Sequence, residues 1–183
     1  MAALASMAAV LEIFPVDLRV PFPFLTTITI DPTGIPIAVA GILYGPLAAF
    51  VTAGVAGITI ATRNPVSATF KAAAEMSTAV PLALAIWGFR RQIGTNPRRA
   101  WVLLGLAGLV AIATRVVVMT GFIIAFLPLL VPAIESVELQ ALWFFAILNA
   151  VQGAINVMLA YVIVVGLPPD LKPSWFAWDS GEG

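Results

Sequence analysis

Residues 139–169 read LQALWFFAILNAVQGAINVMLAYVIVVGLPP, a run without a single Asp, Glu, Lys or Arg. A helix needs about 20 apolar residues to cross the hydrocarbon core of a bilayer. Leu139 to about Val165 supplies that length, and Pro168-Pro169 stops it. A second charge-free run, Pro32 to Thr62, holds two helices, because Gly45-Pro46 interrupts it and proline disfavours helix at the residue before it. The rest of the chain agrees. Of 183 residues, 61% are hydrophobic and 10% charged, and the mean hydropathy is +1.05. A soluble domain carries about 25% charged residues. The expected fold is all-α, an integral membrane bundle of six transmembrane helices forming one domain over residues 1–183.

Three further helices, the first, fourth and fifth, follow from the same logic. The first is Met1 to Phe14, which lacks a basic leader and a cleavage site and so reads as a membrane helix. Residues 15–33 hold Pro15, Pro21, Pro23 and Pro32 and read as an ordered loop over one end of the bundle. Helix 2 starts near Gly34 with Pro36 in its first turn, and helix 3 runs from about Leu47 to Thr62. Helix 4 runs from about Val66 to Phe89 and helix 5 from Trp101 to about Leu130. Arg90, Arg91, Arg98 and Arg99 crowd the loop between them, which places that loop in the cytoplasm of a cell membrane. Parity then puts both termini inside. The loops at 15–33, 63–65 and 131–138 face outside, and residues 167–183 form a polar cytoplasmic tail. Trp87 and Trp101 flank the arginine loop at the level of an aromatic belt, and Trp175 and Trp178 suit the inner interface.

Composition removes several function classes. Nine basic residues balance nine acidic ones, which argues against a nucleic-acid partner. With no Cys and no His, zinc sites and Cys–His or Ser–His catalytic pairs are absent, and no metal or cofactor is expected. No Gly-Lys-Ser/Thr phosphate loop occurs, so any ATP-derived energy must come from a partner.

An ionisable group in mid-bilayer costs at least about 2.5–3.5 kcal/mol, so each one needs a reason. Lys71 and Glu75 share a face of helix 4, four residues apart. They suit either a contact to a solute or a self-neutralising pair. Arg115 lies midway along helix 5 with no acid within a turn and needs a ligand or an inter-helix partner, Glu75 or Glu12. Asn149, Gln152 and Asn156 form a stripe of amides on helix 6, beside Gly153. The stripe suits a hydrogen-bonding wall for a heterocycle, or glue between helices. Ala5 and Ala9 on helix 1 give a small-xxx-small pattern that permits close helix approach.

The order of these features resembles a known family. Pro21-Phe22-Pro23-Phe24-Leu25 leads to Ile30-Asp31 and Ile35-Pro36, and then to Gly41-Ile42-Leu43-Tyr44-Gly45-Pro46-Leu47. Arg115 to Pro128, with Met119-Thr120, and Asn149 to Asn156 extend the likeness over nearly the whole chain. The pattern resembles the substrate-binding S components of energy-coupling factor (ECF) vitamin transporters, most closely the riboflavin type. That resemblance implies a vitamin pocket open to the outside and covered by the first loop. With Asp31 from the resemblance, the candidate binding residues are Asp31, Lys71, Glu75, Arg115, Asn149, Gln152 and Asn156. By the same resemblance, the partners would be a transmembrane coupling subunit, which would meet the Ala5–Ala9 face, and two cytoplasmic ATPases. The chain departs from the riboflavin pattern at Gln152, where Lys is usual, and at Ile123 and Ile124, where Asn-Tyr is frequent. The loop before Asp31 has Thr where Lys is common. Alternatives are an S component for another vitamin or modified-base precursor, a membrane scaffold similar to MreD, and, as a distant third, an intramembrane acid–base enzyme.

Overall fold

The computed structural model describes residues 1–14, 18–20, 28–94, 96–130 and 139–179. The Pro21–Leu25 motif, the loop at 131–138 with Glu135 and Glu138, and the last four residues of the tail lie outside them. Six helices follow in order: α1 (Ala2–Ile13), α2 (Gly34–Tyr44), α3 (Pro46–Ala61), α4 (Pro65–Ile93), α5 (Pro97–Leu130) and α6 (Leu139–Gly166). Three of them, α4, α5 and α6, contain stretches long and apolar enough to cross a membrane. The other three are apolar but shorter. At 1.5 Å per residue, α2 reaches only about 16 Å.

Local chemistry sets the boundaries. Gly45 has φ +94°, a conformation that side chains other than glycine rarely adopt, and it both ends α2 and begins α3. Pro46 and Pro65 occupy first-turn positions, where a missing N–H is harmless. Asn64 caps α4 by accepting from the Ser67 N–H at 3.0 Å. Asn96 Oδ1 accepts from Arg98 N at 2.9 Å and Arg99 N at 3.3 Å, which starts α5 right after the arginine turn.

Two expectations need correction. The loop at 15–33 is not wholly irregular: β1 (Leu18–Val20) pairs antiparallel with β2 (Ile28–Ile30), Arg19 opposite Thr29. The β-branched run Ile28-Thr29-Ile30 favours an extended backbone. The tail is not simply polar. Two 3₁₀ turns, Pro169–Leu171 and Ser174–Asp179, follow α6. Phe176 is 1% exposed and joins the core, and the Trp175 carbonyl lies against Gly94 at the end of α4. The apolar Trp175-Phe176 pair docks this segment against the bundle.

The core has two parts. One joins α2, α4, α5 and α6 through Ile42, Leu82, Ile86, Leu104, Val157 and Val164, with Phe176 closing its end. The other is an alanine-rich seam, Ala8, Ala49, Ala53, Ala56 and Ala79, that brings α1, α3 and α4 close together. All the arginines of the α4–α5 turn sit at one end of the bundle. The ribbon, the end of α1 and the starts of α2, α4 and α6 sit at the other.

Candidate functional site

A polar cluster occupies the ribbon-side half of the bundle. It begins with Lys71, about 9 Å along α4 from Pro65, and continues one turn deeper to Glu75. Glu75 is 3% exposed and Arg115 5%. Their side chains meet at 3.2 Å between Glu75 Oε1 and Arg115 Nη1. The same Arg115 nitrogen donates to Thr78 Oγ1 at 3.0 Å and to the Ala74 carbonyl at 3.3 Å, and Arg115 Nε donates to Asn149 Oδ1 at 3.2 Å. Gly153 makes room for this arginine, since a Cβ there would stand 3.2 Å from Arg115 Cδ.

The amides of α6 complete the cluster. Asn156, fully buried, donates to Glu75 Oε2 at 3.2 Å. Gln152 Nε2 donates to Asn156 Oδ1 at 3.0 Å and to the Asp31 carbonyl at 2.7 Å. Asn149 Nδ2 turns back to the Phe145 carbonyl at 2.9 Å. Gln152 Oε1 is buried and has no partner among the described residues. Asp31, directly after β2, accepts from the Thr33 N–H at 2.9 Å and binds Lys71. Burial raises the Asp31 carboxyl, but the Lys71 ammonium and the Thr33 hydrogen bonds outweigh it and hold the group below its ordinary value of about 3.8.

The expected residues therefore converge, with one change of partners. Lys71 and Glu75 do not neutralise each other by contact. Lys71 pairs with Asp31 and, at 2.8 Å, with Glu12 of α1, while Glu75 pairs with Arg115. One helical turn of α4 separates Lys71 from Glu75, and each finds its opposite charge on other elements, Lys71 on α1 and just after β2, Glu75 on α5. Glu12 does not reach Arg115, because Lys71 occupies it. Its main-chain carbonyl also accepts from the Arg63 guanidinium. Ala5 and Ala9 are half-buried, whereas Ala8 between them is fully buried in the alanine seam.

Sequence reasoning missed Thr78, Gly34 and an aromatic group. A Cβ on Gly34 would lie 1.8 Å from Asn156 Nδ2 and 2.2 Å from Glu75 Oε2, so the start of α2 rests directly on the cluster. Phe70 meets Phe122 edge-on at 5.1 Å, and Phe122 stacks on Phe126 at 4.4 Å, at the ribbon end of α4 and α5. A phenylalanine four residues from another on an apolar helix carries no signal in sequence. The register that brings α4 to α5 is what reveals it.

No family model matches the chain, and no curated protein matches it. Among solved structures, its fold is similar to that of the S component of a bacterial ECF transporter. The TM-score is 0.70 with 17% identity, over 88% of this chain and 89% of that one. At this identity the likeness establishes a shared fold.

Proposed function

We propose that the chain is a membrane-embedded S component, the substrate-binding subunit for ATP-driven uptake of a small water-soluble vitamin. The observation that carries this reading is the coincidence of fold and site. A fold shared along most of its length with an S component goes together with a cluster of seven expected polar residues, four of them buried, against the segment that holds β2 and Asp31. All six helices would lie within the cell membrane with both termini cytoplasmic, α1 to α3 being short spans. A transmembrane coupling subunit would meet α1 near Ala5 and Ala9, and two ATPases would supply the energy. The chain would bind and not catalyse.

For the solute, riboflavin or a related compound is the first choice, supported by the motif resemblance and by the aromatic group beside the cluster. Native mass spectrometry of protein purified from a rich-medium host tests this. A retained flavin supports the riboflavin reading; another retained vitamin moves the assignment within S components. The contact between Glu75 and Arg115 favours a second reading, a scaffold of the MreD kind in which the cluster only fastens helices. A purified protein that retains no solute and binds none at millimolar concentration would favour that scaffold.

A further inference from the structure

We propose that this cluster selects a solute that offers hydrogen-bond donors and carries no negative charge, an inference that rests on reading the cluster as the solute site. Every amide nitrogen of the stripe is engaged within the protein, and Gln152 Nε2 uses both of its hydrogens. Asn149 Nδ2, Gln152 Nε2 and Asn156 Nδ2 each already donate within the protein, and the oxygens of Asn149 and Asn156 each accept. Among the described residues, the one nitrogen or oxygen of the stripe with no partner at all is an acceptor, Gln152 Oε1, in a residue 7% exposed. Turning that amide over would set its oxygen against the Asp31 carbonyl and Asn156 Oδ1, so the neighbours fix the orientation. A buried acceptor without a donor is costly, and a solute N–H or O–H supplies the missing partner.

Charge points the same way. Among the described residues, the buried cluster holds the carboxylates of Glu12, Asp31 and Glu75 against the cations Lys71 and Arg115. Lys71 is shared between two acids, and Arg115 is committed to the third. Arg63 lies at the surface and reaches the main chain of Glu12, not its carboxylate. The site thus carries one more negative charge than positive among these side chains. An anion entering it would be repelled at short range in a medium of low dielectric constant, while a neutral or cationic donor would not.

The test uses purified wild-type protein and five named probes in one competition series read by native mass spectrometry. Thiamine is a cation with an amino donor, riboflavin a neutral molecule with an imide N–H; riboflavin 5′-phosphate, biotin and pantothenate are anions. The expected result is that thiamine or riboflavin binds at least tenfold more tightly than every anion. Gln152→Met keeps the side-chain length and removes the acceptor. It should weaken the winning probe roughly 5- to 150-fold, and so should Gln152→Lys, which lacks the acceptor but keeps a donor toward the Asp31 carbonyl and Asn156 Oδ1. Thermal unfolding of both variants confirms that they fold. An anion as the tightest probe would overturn the donor proposal and leave the S-component reading standing, and so would full binding by a folded Gln152→Met. Binding of none of the five would overturn the donor proposal, and if the purified protein also retains no solute of its own, the S-component reading falls with it.

Discussion

Lys71 of α4 lies 2.8 Å from the Glu12 carboxylate of α1 while it also binds Asp31 at the base of the ribbon. The Glu12 oxygen concerned has no aligned hydrogen bond, so this contact is an ion pair held by charge alone. One ammonium thereby joins the helix that would face a coupling subunit to the segment that would cover a solute. Lys71→Met leaves two largely buried carboxylates without a cation. Breaking such a pair costs about 3–5 kcal/mol. The expected outcome is a lower unfolding temperature in detergent and faster amide exchange across residues 28–35. Glu12→Gln should cost less, because Lys71 keeps Asp31. Equal exchange at 28–35 in wild type and Lys71→Met would show that Lys71 does not hold the ribbon.

The Asp31 contribution depends on pH with a definite sign. Its folded-state value is depressed, so its stabilisation is present above the ordinary carboxylate value of about 3.8 and is lost as pH falls through the folded value. The difference in unfolding temperature between wild type and Asp31→Asn should stay constant from pH 7 down to about pH 5 and shrink only at more acid pH. A difference that vanishes already between pH 7 and pH 6 would contradict the pairing with Lys71.

Much of this was legible in the sequence, and the gaps have physical causes. Charge-free runs and Pro or Gly breaks located all six helices, because the cost of polar groups in lipid leaves few other ways to write a membrane helix. The amide stripe and Arg115 stood out for the same reason. Partner choice did not: the spacing of Lys71 and Glu75 favours their mutual contact, and only the packing of α1 and α5 against α4 divides them. The burial of Phe176 was hidden because a short apolar pair after Pro168-Pro169 looks like an interfacial anchor. The ribbon was hidden because two three-residue strands fall below any periodic signal.

Gly34 is the tightest point of the site. A methyl group there would overlap Asn156 Nδ2 and Glu75 Oε2, which are hydrogen-bonded to each other, and both side chains are held at another atom by further contacts within the cluster. Gly34→Ala should therefore push Asn156 off Glu75 and cost about 1–3 kcal/mol, the range for forcing extra volume into a packed interior. Solute affinity should fall with it. Gly54→Ala is the control, since nothing lies within 4 Å of a Cβ there. The pair is compared by thermal unfolding and by riboflavin fluorescence titration.

Small residues on α1 should separate folding from coupling. Ala8 is fully buried against the alanine seam, so Ala8→Leu should overpack it and lower stability by about 1–3 kcal/mol. Ala5 and Ala9 are half-buried and flank it. Ala5→Leu and Ala9→Leu should keep the fold and solute binding but abolish uptake in cells carrying the coupling subunit and ATPases, because helix approach there needs small side chains. Equal loss of binding and uptake would remove these two residues from the partner surface.

The Glu75–Arg115 pair decides whether the cluster binds or only fastens. Glu75→Leu strands a guanidinium that is 5% exposed, and Arg115→Leu strands a carboxylate that is 3% exposed. Each single change should cost about 3–5 kcal/mol. The double variant Glu75→Leu, Arg115→Leu leaves no charge to strand, although Asn149, Asn156 and Thr78 lose partners. Buried ion pairs are often replaced by apolar residues of similar size at little cost. The double variant should thus recover most of the stability lost by either single one, and unfolding in detergent measures the coupling directly. Solute binding then separates the two roles. For a binding site, the double variant is stable and fails to bind, because two polar groups of the pocket, and their hold on Asn149 and Asn156, are gone. For a fastening, binding returns together with stability. The expected outcome is recovered stability without recovered binding.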